Sequence, residues 1–162
     1  MESVLTWMSG SWLAHLVLDH FWVFGTLETL HFLGLILLVG SLLIVDLRML
    51  GVAPGIPMDA VLAFLPWSFV GFGINFVTGV MFFFSDPFHY YESVAFRWKM
   101  LAIAAAGVNV IWFKHSIHPR INAAGRSSVP AQTKYVATLS LALWLAVIVF
   151  GRMIPYLGPG GG

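Results

Sequence analysis

A histidine and a glutamate stand one helical turn apart inside a long apolar run. They are Glu28 and His31 in TLETLHFLGLILLVGSLLIVDLRML, Thr26 to Leu50. Residues at i and i+3 share a face of a helix. A run of this length crosses a bilayer, and ionisable groups inside it are costly enough to mark a functional site by default. Imidazole beside carboxylate is metal-ligating chemistry, and imidazole turned into a helical bundle is also how haem b is held. Asp46 and Arg48 close the far end of the same run. His115 closes a later run, His118 follows one turn on, and Asn109 lies about two turns deeper. Val108, Ile111, His115 and His118 are expected on one face. Arg152 stands near the end of the last run, at the expected depth of Glu28, where the two charges would neutralise one another. At about 1.5 Å per residue, His31 and His115 differ in depth by roughly 20 Å, so they belong to separate sites.

The elements that must position these groups are four spanning helices, predicted over Thr26–Leu50, Ala60–Phe84, Phe96–Phe113 and Tyr135–Ile154. The short connections imply an antiparallel up-down-up-down bundle. Gly51 to Pro57 is turn chemistry, Pro66 is expected to kink the second helix, and Pro119 to end the third. Small residues for close helix approach are Gly71, Gly73 and Gly79 on the second helix and Ala102 and Ala106 on the third. Asn75 is expected to hydrogen-bond across helices. Before the first span, Trp7, Trp12 and Trp22 are interspersed with His15, Asp19 and His20, the pattern of a helix lying in the interface with its tryptophans at headgroup level. The fold class is therefore an all-α integral membrane protein: a four-transmembrane-helix antiparallel bundle with an N-terminal interfacial helix. Residues 1–25 form the interfacial segment, 26–156 the transmembrane domain and 157–162 a flexible Gly/Pro tail.

Composition agrees. Of 162 residues, 59% are hydrophobic and 9% charged, against about 25% charged in soluble domains. The net charge of +1 offers nothing to nucleic acid. With no cysteine, thiolate zinc sites, iron–sulfur clusters and disulfides are excluded. Ser41, Ser68 and Ser140 belong to no nucleophile–base motif, and there is no phosphate loop or H-E-x-x-H. Hydrolase and transferase activities are not expected.

Basic residues set the expected orientation. Arg48, Lys114, Arg120, Arg126 and Lys134 fall on one side, Arg97, Lys99 and Arg152 on the other. The richer side is read as cytoplasmic. This places both termini in the periplasm, for a protein of the bacterial inner membrane.

The segment LHFLGLILLVGSLLIVDLRMLG, Leu30 to Gly51, carries a resemblance. With the E-x-x-H of Glu28 and His31, the DLR-x-LG of Asp46 to Gly51, Asn109, Phe113 and His115, and Gly151-Arg152, it resembles a group of bacterial four-helix membrane proteins. That group is distantly similar to the CopD copper-resistance membrane domain. The likeness runs from about Trp22 to Tyr156, and Lys114 departs from it by separating Phe113 from His115. It implies transport of copper or a small solute, with Glu28 and His31 as an outer metal site and Asp46 with His115 as an inner one.

The residues themselves point first to a membrane redox protein that binds haem b and transfers electrons, with quinone or a membrane redox complex as partner. His31 would serve an outer haem and His115 an inner one. The second and fourth helices contain no histidine, so His20 or His89, a non-histidine group or a second subunit would complete each ligand set. Copper is the alternative ligand, and a cofactor-free accessory subunit or scaffold the third reading. In that case Glu28, Asp46, Arg48 and Arg152 lock helices together, and the lipid bilayer plus a homo-oligomer or larger complex are the partners.

Overall fold

The structure is a computed structural model that describes residues 2–119 and 131–157. Four helices are long and apolar enough to cross a membrane among the described residues, spanning Phe21–Leu50, Met58–Ser85, Val94–Ile117 and Gln132–Met153. The protein is an all-α, multi-pass membrane bundle.

The first 18 residues hold two short helices rather than one, α1 (Glu2–Ser9) and α2 (Trp12–Leu18). The Ser11 hydroxyl caps α2 by accepting from the Ala14 N–H at 3.4 Å. Both fold back on the ends of the spans: α2 against α3 and α5, α1 against α5 and α6. Val17 joins Val23 and Leu27 in a small apolar cluster there. Trp7, Trp12 and Trp22 stay exposed, as interfacial tryptophans do.

The first span, α3 (Phe21–Leu50), begins five residues earlier than its apolar run suggested. It ends at Gly51, whose φ of +100° needs a residue without Cβ. The Gly51 and Val52 N–H groups close on the carbonyls of Arg48 and Leu47 at 3.1 and 3.0 Å, the paired bonds of a Schellman stop.

The second span is broken. A short α4 (Met58–Leu62) leads through Ala63 and Phe64 into α5 (Leu65–Ser85). Pro66 does not bend a continuous helix as expected. It sits in the first turn of α5, where its missing N–H costs nothing, so the interruption lies just before it.

Asp86 then caps α6 (Pro87–Glu92), and Ser93 caps α7 (Val94–Trp112). The third span continues through a π-helical turn, Phe113–Ile117. The last span is α8 (Ala131–Met153). Arg120 and Arg126 of the expected basic loop, and the Gly/Pro tail beyond Leu157, lie outside the described residues.

Packing among the spans is uneven. α3 packs on α5 and on α8, and α8 packs on α7; α5 and α7 make no comparable contact. The α3–α5 crossing is the tightest. A Cβ on Gly71 would come within 2.5 Å of the Leu38 nitrogen and 2.6 Å of the Gly34 carbonyl oxygen, whereas Gly73 and Gly79 face open space. The close-approach role therefore belongs to Gly71, with Gly34 opposite. Ala102 and Ala106 of α7 are buried with Leu38, Leu42, Trp144 and Val147 in the central core. A second core of Val45, Met49, Met58, Val61, Ile117 and Val136 closes the end that carries the 51–57 loop.

Candidate functional site

The expected residues separate into two places. The first is near the α2 end, around His31. Its half-buried ring puts Nδ1 2.7 Å from the Thr78 hydroxyl of α5. Thr78 is itself 2.8 Å from the Ile74 carbonyl, a contact in which the hydroxyl can only donate. Its single proton being spent, Thr78 accepts from His31. The imidazole therefore carries its proton on Nδ1 and leaves Nε2 as a free lone pair. Phe82 meets the ring edge-on at 5.7 Å. On α7, the half-buried Lys99 amine lies against Gly151 of α8, where a Cβ would be 3.4 Å from Nζ, and it also acts electrostatically on His31. Sequence reasoning counted Lys99 only as an outer charge. Its place three residues inside the predicted start of the third helix was the available signal.

Glu28 does not join this group. It is exposed and forms no ion pair with Arg152. Arg152 is exposed too, and its guanidinium lies 5.6 Å from the Tyr156 ring. The Glu28 carboxylate acts electrostatically on Tyr90 of α6 instead. Burial pushes the Tyr90 phenol above its ordinary value, and the Asp86 and Glu28 carboxylates add to that shift. His20 starts α3, exposed, with its ring against Trp22 rather than folded over His31. His89 packs edge-on against Tyr90 in α6. His15 forms an exposed ion pair with Asp19 at 3.4 Å. Among the described residues, no three histidines or carboxylates gather as a metal-holding group.

The second place is a cavity of about 410 Å³ toward the 51–57 end, walled by all four spans. Its lining is apolar, with Leu38 and Leu42 from α3, Phe69 and Phe72 from α5, and Ile103 and Val110 from α7. Six polar side chains interrupt it: Asp46, Ser68, Asn109 and Ser140, together with Lys114 and His118. Asp46 and Asn109 are each only 4% exposed. Ser140 of α8 donates to the Asp46 carboxyl, yet Oδ2 meets no partner among the described residues. The Asn109 amide donates to the Val136 carbonyl at 3.2 Å, and its Oδ1 is likewise unpartnered. Leaving such a buried group unsatisfied costs about 1–3 kcal/mol. Phe69 and Phe72 on one helix and Gly107 on the other line the cavity and are also exposed on the outside of the bundle. The cavity thus opens sideways, through the gap between α5 and α7.

Two expectations about this end change. His115 does not reach the cavity: it is exposed, as are Val108 and Ile111, whereas His118 lines the wall. The π turn adds a residue to the helical repeat, so His118 rotates off the face that the other three share. Arg48 is buried and turned away, donating from Nε to the Ile56 carbonyl at 2.8 Å and from Nη2 to the Pro54 carbonyl at 3.1 Å. It folds the 51–57 loop. Asn75 donates to Gly71 of its own helix, not across to another. Ser68 and Ser140, set aside as lone serines, are part of the cavity because helices distant in sequence bring them together.

No protein-family model, no curated protein and no solved structure matches the chain.

Proposed function

We propose that this protein binds a lipophilic small molecule inside the bundle, in the cavity between Asp46 and Asn109, as a carrier or accessory protein of membrane electron transport. The observation that carries the reading is the pair of buried oxygens without a partner among the described residues, Asp46 Oδ2 and Asn109 Oδ1, in a largely apolar chamber. Ligand sites are typically 300–1,000 Å³, largely apolar, with a few placed polar groups, and this cavity has that make-up. A quinone-class molecule has the matching anatomy, a polar-edged ring on an apolar chain. Lys114 and Lys134 beside the 119–131 connection support a cytoplasmic side there, and with it a bacterial inner-membrane protein with both termini periplasmic.

The test is an organic extract of protein purified from its native membrane, compared with the G107F variant. A Cβ at Gly107 meets open space, so the phenylalanine fills the gap without disturbing the helix packing. One lipophile at about one mole per mole, absent from the variant, is the expected result. Identical extracts would overturn the reading.

A second reading keeps the metal or haem b role of His31, and the Thr78 contact favours it. Ligating histidines are characteristically held by a hydrogen bond on the other ring nitrogen, and here Nδ1 is held while Nε2 is free. Among the described residues no second histidine stands beside it, so a haem would draw its other axial ligand from another subunit. Copper would need the same help. A reduced-minus-oxidised spectrum and metal analysis of the native complex decide this. Neither a Soret shift nor copper in the wild type would end it.

A further inference from the structure

Two buried oxygens of the cavity, Asn109 Oδ1 and Asp46 Oδ2, meet no partner among the described residues, and the amide oxygen can only accept, which bears on the chemistry of the occupant. Asn109 has spent its amide on Val136, so only Oδ1 remains. Ser68 donates its hydroxyl proton to the Leu65 carbonyl at 2.7 Å, leaving oxygen lone pairs. Ser140 gives its proton to Asp46, whose Oδ2 stays open. Asn109 Oδ1 is thus a buried acceptor that lacks a donor, with the oxygens of Ser68 and Asp46 lining the same chamber from α5 and α3. A ketone or ether brought here would meet lone pairs with lone pairs. A hydroxyl would satisfy an oxygen that is otherwise buried unpaired, and that difference is where discrimination against an analogue lacking the group is greatest. An ammonium would also donate, but Lys114 lines the same wall with its own positive charge. The neutral donor is favoured.

We infer that the cavity takes a lipophilic alcohol or phenol from the bilayer, hydroxyl first, through the gap between α5 and α7. On the cavity reading above, on which this inference rests, a quinone-class occupant would be the reduced, hydroxyl-bearing form. The apolar body lies along Phe69, Phe72 and Ile103, and the hydroxyl reaches Asn109 Oδ1 and Asp46 Oδ2.

The experiment uses full-length protein in detergent and a matched pair of probes, 1-naphthol and 1-methoxynaphthalene, titrated calorimetrically with G107F as the background. The two differ in the hydroxyl proton and one methyl group. Wild type is expected to bind 1-naphthol at least tenfold more tightly than the ether, and G107F neither. D46N, which replaces one acceptor oxygen by an amide donor with little change in shape, is expected to narrow the preference severalfold. Equal binding of both probes by wild type, abolished in G107F, overturns the donor selection and leaves the cavity reading standing. Binding of neither probe, or binding that G107F does not alter, overturns both. The probe pair alone decides the matter should D46N fail to fold.

Discussion

The Thr78 hydroxyl accepts a hydrogen bond from His31 Nδ1–H and donates one to the Ile74 carbonyl one turn back on α5. That relay joins two spans and fixes the imidazole tautomer. In T78V the relay is gone, and Nδ1 has no acceptor of this kind. Nitrogen-15 NMR of the labelled imidazole is expected to show an Nδ1-protonated ring in wild type and a shift toward the commoner Nε2-protonated form in T78V. T78S should keep the wild-type signature. Stability should fall by about 1 kcal/mol in T78V, the net worth of a hydrogen bond. A wild-type ring protonated on Nε2 would refute the assignment.

The crossing of α3 on α5 depends on Gly71. G71A drives a methyl group into the Leu38 nitrogen and Gly34 carbonyl, both backbone atoms that cannot swing aside. A loss of about 1–3 kcal/mol is expected from overpacking, seen as a lower thermal midpoint in detergent. G73A and G79A face open space and should be neutral or slightly stabilising, since alanine favours helix over glycine.

The spans were readable because a bilayer imposes length and apolarity on contiguous sequence, and one chain carries that information locally. Gly71 was readable as a small residue, but its partner Gly34 was not, because it depends on how α3 is rotated. The same holds for the cavity. Asp46 and Asn109 stood out as polar groups at membrane depth, while their convergence with Ser68 and Ser140 depends on the azimuth of four helices. The π turn at Phe113–Ile117 changes that azimuth for His118, and the nearby Pro119 signals where the helix stops rather than a widened turn before it. Glu28 and Arg152 were matched by depth alone, and depth leaves direction around the helix undetermined.

Arg48 holds the 51–57 loop through two carbonyls. R48M removes both bonds and is expected to cost about 3 kcal/mol, hydrogen bonds to a charged group being worth roughly 1.5–3 kcal/mol each before relaxation. Hydrogen exchange and proteolysis should accelerate over that loop. R48K should rescue only partly, because an ammonium cannot reproduce the guanidinium fork. Unchanged exchange in R48M would count against this role.

Tyr90 should ionise later than the other tyrosines when pH is raised. Its neutral phenol is favoured in the folded state by burial, then by the Asp86 and Glu28 carboxylates. The native state therefore holds its proton over a pH range in which the unfolded chain has released it. The associated stability is complete below the ordinary tyrosine value of 10.0 and is lost as pH rises through the elevated one. Alkaline spectrophotometric titration should show a late phase that Y90F removes and E28Q moves earlier. A late phase that survives in Y90F would assign it elsewhere.

The pairing of α7 with α8, and its lack of comparable contact with α5, bears on how the protein is made. When the third span leaves the ribosome, α5 offers it little to dock on and α3 little beyond the Leu38 and Leu42 side chains. Its main partner surface arrives only when the fourth is synthesised. Assembly of this bundle is thus completed from its later half backward, and damage to α8 should strand α7 as an orphan segment for membrane quality control.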